Sequence, residues 1–165
     1  MTSLLTVDEA VHWLGEAIAV AAQAAEAGHH PFGALLLGPD RRTVLLRQGN
    51  VDQVNHAESL IAREAAQRFS AGVRAQCILV STVEPCAMCA GTQYWAGIGG
   101  LVYGLSERRL LELTGDHPDN PTLDLPCRTV FAAGQRAITV MGPVAALEAQ
   151  IAAQHRAFWH RTPAR

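Results

Sequence analysis

The 165-residue sequence predicts one α/β domain with helices on both faces of a single sheet, and three observations carry that prediction. The chain is long enough for one packed core and too short for a second of useful size, so residues 1–165 are read as a single domain. Hydrophobic residues make up 49% and charged residues 17%, the balance of a packed globule. Short apolar, β-branched runs alternate with stretches of helical period, and no repeat, low-complexity run or linker interrupts them.

Taken in order, Thr6-Val7-Asp8-Glu9 is a capping-box pattern that starts a helix near Val7. Val11, Leu14, Ile18 and Ala22 continue it at three- and four-residue steps, and Gly28 is its stop. Residues 32–37 and 43–47 read as two strands of a hairpin, joined through the turn residues Gly38-Pro39-Asp40-Arg41-Arg42. A helix is predicted over 56–69, with Leu60, Ile61, Ala65 and Ala66 on one side. Residues 77–83 read as a buried strand, and Pro85 is well placed to open a helix over 86–95. A strand over 99–103 and a helix over 107–113 follow. Residues 115–128, rich in Asp, Pro and Asn, read as a long loop of the kind that serves function. A strand over 137–141 and a last helix over 143–160 close the chain.

Composition removes several function classes. The formal net charge is −2, without the basic surplus of a nucleic-acid binder. All 13 basic residues are arginine, and the absence of lysine excludes Schiff-base chemistry and a Walker-type phosphate loop. The N-terminus lacks the basic and apolar regions of a secretory signal, and the apolar stretch 17–27 is broken by Gln23 and Glu26, so a soluble cytoplasmic protein without membrane contact is expected. Cys77, Cys86, Cys89 and Cys127 are too few for a disulfide framework; their clustering suggests metal or redox work.

The chemistry concentrates in His56-Ala57-Glu58 and, thirty residues on, Pro85-Cys86-Ala87-Met88-Cys89. Two thiolates at i and i+3 on a helix's first turn share a face, and the unpaired N–H groups there favour the thiolate form. An imidazole from a second helix start supplies a third ligand, leaving one tetrahedral position for water, as in catalytic rather than structural zinc sites. Glu58 is placed to move that water's proton. A redox pair leaves His56 and Glu58 without a purpose, and a four-cysteine ribbon lacks its second C-x-x-C. A zinc-stabilised binding module without catalysis is the rival from another class.

The pattern H-x-E followed by P-C-x-x-C is the signature of zinc deaminases, and the sequence resembles the cytidine-deaminase-like superfamily. Within it, Glu84-Pro85-Cys86-Ala87-Met88-Cys89-Ala90-Gly91 is shared by guanine deaminases and tRNA adenosine deaminases, and Tyr94-Trp95-Ala96 is more similar to the former. The resemblance extends from Pro31-Phe32-Gly33-Ala34 to the helix after Cys89. It implies a three-layer α/β/α fold with a five-stranded mixed sheet, one zinc ion and a homodimer or larger homo-oligomer. Zinc would be held by His56, Cys86 and Cys89, with Glu58 shuttling protons. It further implies substrate contacts from Phe32, the N–H of Ala57, Trp95 and Asn50. The loop from Asn50 to His56 is short for this branch, so Asn55 rivals Asn50.

Three substrate classes fit: a free base such as guanine or a related aminated ring (triazine, isocytosine), cytosine or cytidine, or adenosine in tRNA. Net charge favours a small free base over nucleic acid, and Arg156, Arg161 and Arg165 read as charges placed near a helix C-terminus. Val144, Leu147, Ile151 and Phe158 form a core stripe; Trp159 falls off it, and by resemblance Phe158 or Trp159 caps the pocket. A second acid would accept from a ring's N–H donors, with Glu112 and Asp116 the candidates. His29 and His30 read as solvent-facing loop histidines, Cys77 as packed in a strand and Cys127 as a loop cysteine without a partner, while His12, His117 and Glu84 are read as structural.

Overall fold

The computed structural model describes residues 4–160. Its elements are α1 (Val7–Glu26), β1 (Gly33–Leu37), β2 (Val44–Gly49), α2 (Ala57–Arg68), α3 (Ala71–Arg74), β3 (Ile78–Val83) and α4 (Ala87–Ala96), followed by β4 (Gly100–Leu105), α5 (Glu107–Thr114), α6 (Cys127–Ala132), β5 (Thr139–Met141) and α7 (Ala145–Trp159). The strands form one sheet in the order β2-β1-β3-β4-β5. β1 runs antiparallel to β2 and β3, whereas β3, β4 and β5 are parallel. The sheet is therefore five-stranded and mixed, as expected.

Local chemistry accounts for the element starts. Thr6 and Glu9 close the capping box, with the Glu9 N–H donating to Thr6 Oγ1 at 3.2 Å and the Thr6 N–H to Glu9 Oε2 at 2.8 Å. Asp40 organises the hairpin turn by accepting from the N–H groups of Arg42 and Thr43 at 3.0 and 2.9 Å. Strand residues alternate between two cores. Ala34, Leu36, Leu79, Leu101 and Tyr103 face α2, α4 and α6, and Leu35, Leu37, Ile78, Val80 and Val102 face α1. A third cluster joins α7 and α5 to the ends of β3 and β4 through Val83, Leu105, Leu110 and Ile151. Gly33 is required where β1 meets α1, since a Cβ there would lie 2.3 Å from the Ala17 carbonyl oxygen.

Two short helices, α3 and α6, were not expected; the second takes the end of the predicted 115–128 loop. They run 4 and 6 residues, too short for a helical period to register in sequence. The stripe on α7 also differs. Its buried residues are Ile151, Ala152, His155 and Trp159, with Phe158 half-buried. Steps of four advance about 40° around a helix, so the buried face drifts from Ile151 to Trp159 as α7 wraps the domain. Arg156 lies in the last turn of α7; Arg161 and Arg165 fall outside the described residues. No helix among the described residues is long and apolar enough to cross a membrane.

The topology gathers one edge of the sheet. The parallel strands β3 and β4 end there, and antiparallel β1 begins there. Phe32 and Asn50 therefore lie near Glu84, and Asn50 N–H donates to the Phe32 carbonyl at 3.0 Å.

Candidate metal centre and active site

His56 is the N-cap of α2 and Cys86 the N-cap of α4; Cys89 follows in the first turn of α4. Asp52 shapes the approach to α2, accepting from the N–H groups of Val54 and Asn55 at 2.8 and 2.7 Å. Across thirty residues the three side chains converge, their ligating atoms all within 4.8 Å of one another. His56 Nδ1 is 3.7 Å from Cys86 Sγ and 3.4 Å from Cys89 Sγ. A tetrahedral zinc ion with ordinary Zn–N and Zn–S bonds needs about 3.6 Å between those atoms, so the geometry fits the ion. The other ring nitrogen, Nε2, donates to the Gln53 carbonyl at 3.0 Å, which turns the Nδ1 lone pair toward the sulfurs.

The electrostatics of these donors also suit a cation. Hydrogen bonds from the Cys89 thiol and His56 hold Cys86 down to about 4. The same thiol pairing, together with burial, pushes Cys89 up. The hydrogen bond to Cys86 raises His56 against the opposing effect of burial. Protons shared among three clustered donors are what a divalent ion displaces. Three protein donors would leave a bound zinc ion one position for water.

Glu58, in the first turn of α2, is buried next to Cys89. Its Oε1 is 2.6 Å from the Ser81 hydroxyl, and its Oε2 is 3.6 Å from Cys89 Sγ. Burial raises its pKa, and the Ser81 hydrogen bond opposes the rise. The Phe32 ring lies nearly parallel to His56, 6.5 Å away at 9°. Ala57, fully buried between the ligand and the acid, opens α2, so its N–H belongs to the first turn, where helices offer free donors.

Two connected hollows adjoin these groups. The inner one, about 30 Å³, is lined by Phe32, His56, Glu58, Glu84, Cys86, Glu107, Leu110 and Asn120. The outer one, about 280 Å³, is bounded by His30, Gln53, Val54, Met88, Asp119 and Leu123 among others, and shares His56, Cys86, Glu107 and Asn120 with the inner. No arginine lines either. A larger hollow of about 510 Å³ near α6 and β5 is lined by Arg128, Phe131 and Arg136 and holds none of these chemical groups.

Several expected contacts lie elsewhere. Trp95 is 78% exposed at the far end of α4, nine residues and about 13 Å along the axis from Cys86. Glu112 is exposed and ion-paired with Arg109 at 2.7 Å, and exposed Asp116 lines neither hollow. Asn50 is buried with its amide donating to the Asp52 carbonyl at 3.1 Å, and Asn55 is held by Asp52. Phe158 and Trp159 line neither hollow of their own chain; they stand behind His30, with ring centroids 5.9 and 4.6 Å from it. That makes His30 a wall residue rather than a solvated loop histidine, and burial lowers its pKa.

Other residues gave no signal in the sequence. Glu107, Asn120, Ser81 and His155 reach the site through tertiary packing. His155 packs against Phe32 with centroids 5.0 Å apart and accepts from Trp159 Nε1 at 3.0 Å. Glu84 accepts at 3.0 Å from the Glu107 N–H and at 2.8 Å from the Cys127 N–H, binding the starts of α5 and α6 to the end of β3.

A family model described as the cytidine and deoxycytidylate deaminase zinc-binding region matches residues 8–105. The chain is 32% identical over 166 residues to a probable cytosine deaminase of Schizosaccharomyces pombe, a match covering 96% of this chain and 98% of the relative. It is 36% identical over 89 residues to the guanine deaminase of Bacillus subtilis, covering 51% of this chain and 56% of that one. A solved tRNA:A34 deaminase, from work on A-to-I editing at the wobble position, is similar with a TM-score of 0.60 and 27% identity, covering 86% of this chain and 99% of that one.

Proposed function

This chain belongs to the cytidine and deoxycytidylate deaminase zinc-binding family, and from that membership we propose that it hydrolytically deaminates a small, unphosphorylated nucleobase. The preferred substrate in this reading is guanine or a guanine-like aminated ring such as a triazine or isocytosine. The observation that carries the choice of a small base is the wall of the hollow: it presents acids, amides and apolar groups, with no arginine. A nucleic-acid reader gains most of its affinity from cations on phosphates. This lining therefore favours a free base over tRNA.

His56, Cys86 and Cys89 would hold the zinc ion, which would supply the Lewis acidity that makes water nucleophilic near neutral pH. Glu58 Oε2 accepts the proton of the attacking water and returns it to the ring nitrogen beside the reacting carbon. A second transfer to the exocyclic amine lets the C–N bond break as ammonia leaves, with a C–O bond formed in its place. Burial raises this carboxyl, which favours its holding the proton between the two transfers. Phe32 stacks along the base, and the Ala57 N–H donates to a substrate carbonyl. Asn50 holds the β2 end in place. His155 and Trp159 back the wall and exclude water.

Cytosine is the second reading, favoured by the nearly full-length match to the Schizosaccharomyces pombe relative. A homodimer in the cytoplasm belongs to this proposal, and sedimentation of the zinc-loaded chain tests the dimer. The deciding experiment is ammonia release from guanine, cytosine, isocytosine, adenine, aminated triazines and their nucleosides. Turnover of free bases supports the reading. Turnover confined to tRNA, or none with stoichiometric zinc, overturns it.

A further inference from the structure

Glu107 is 5% exposed, yet among the described residues its carboxyl makes no hydrogen bond or ion pair; only its backbone N–H is engaged, by Glu84. Burying a carboxyl without a partner is costly, and such groups call for an explanation. Its oxygens are not sealed in the core, since the fully enclosed unpartnered side-chain atoms are those of Gln93, Gln154 and His155. Glu107 lines both hollows, at the throat shared with His56, Cys86 and Asn120. Its neighbour Arg108 is engaged by Asp124 at 2.9 Å.

We propose that Glu107 is a substrate-contacting residue, hydrogen-bonding the edge of the bound base at this throat with Asn120 beside it. The inference rests on the function proposed above and gives Glu107 the part that sequence reasoning sought in Glu112 or Asp116. A buried carboxyl at this throat accepts from ring N–H groups and, when it carries its proton, also donates beside them. Its complement is a ring edge pairing N–H with C=O, or a ring nitrogen with an exocyclic N–H. The substrate class is therefore an unphosphorylated heterocycle with an amide or amidine edge. A phosphate, anionic and purely accepting, would meet acids on this wall.

The test compares wild type, Glu107→Leu and Glu107→Gln as zinc-loaded full chains. Base binding is read by calorimetry in a Glu58→Gln background, and turnover is read with Glu58 intact. Glu107→Leu should weaken base binding by about tenfold or more and raise KM by more than it lowers kcat, without lowering Tm. Glu107→Gln, which keeps a donor and an acceptor, should recover most of that loss. The monophosphate of a base that turns over should not compete at millimolar concentration. Binding unchanged in Glu107→Leu, binding lost only along with Tm, or tight binding of the monophosphate overturns the role of Glu107. A wild type that neither binds nor deaminates any base overturns the proposed function, and this role with it.

Discussion

Ser81 Oγ stands 2.6 Å from Glu58 Oε1 and, on its other side, 2.6 Å from the Val83 carbonyl oxygen. A hydroxyl has one proton, so it donates to a Glu58 carboxylate or, when Glu58 is protonated, accepts from it and donates to Val83. Either state of the acid is thus held in one orientation by one side chain.

Replacing Glu58 with Gln should leave zinc content and Tm near wild type and lower kcat by roughly 10²–10⁴-fold. Elemental analysis with steady-state ammonia release checks both halves. Retained turnover would show that another group moves the proton.

Cys89→Ala should lose stoichiometric zinc on dialysis, and its Tm should no longer respond to added zinc. Zinc uptake by metal-stripped wild type should release protons, because Cys89 is held protonated by Cys86 and burial. Calorimetry in buffers of different ionisation enthalpy counts them.

The raised carboxyl of Glu107 gives a pH signature. Between the ordinary 4.5 and about 9 the folded chain holds a proton that the unfolded chain releases, so stability falls as pH rises through that window. Glu107→Gln should therefore raise Tm, with the gain growing from pH 5 to pH 9 in scanning calorimetry.

His155 acts in the opposite sense. Burial drops it to about 3, so it supports folding above the ordinary 6.5 and that support is lost as pH falls toward 3. His155→Gln, which can still accept from Trp159, should flatten the loss of Tm between pH 6.5 and 4.

Glu84→Ala should cost about 2–5 kcal/mol of stability, measured by urea unfolding, because two buried N–H donors lose their acceptor. Glu84→Gln, which keeps one acceptor oxygen, should lose less.

The metal centre was legible because zinc chemistry dictates residue type and spacing: Cys86 and Cys89 lie one turn apart, and Pro85 marks the helix start. The sheet was legible because β1, β3 and β4 are short, apolar and bounded by turns. The wall of the hollow was not. Glu107 follows Ser106 in an ordinary helix opening, and its burial arises only because β4 ends beside β3. His155 carries no sequence signal; its burial follows from the drift of α7 over Phe32. Trp95, expected by resemblance as a substrate contact, is carried out to solvent by helical rise and lines neither hollow of its own chain.

The two hydrogen bonds that Glu84 accepts have one more consequence. They clasp both ends of the excursion from Glu107 to Cys127, and the strand end that bears the clasp leads straight into Cys86. The intervening segment is thereby insulated: grafting a different length or composition between those anchors would reshape the mouth of the site and leave the ion's ligands undisturbed. New substrate preferences could arise on this scaffold by exchanging one stretch of chain.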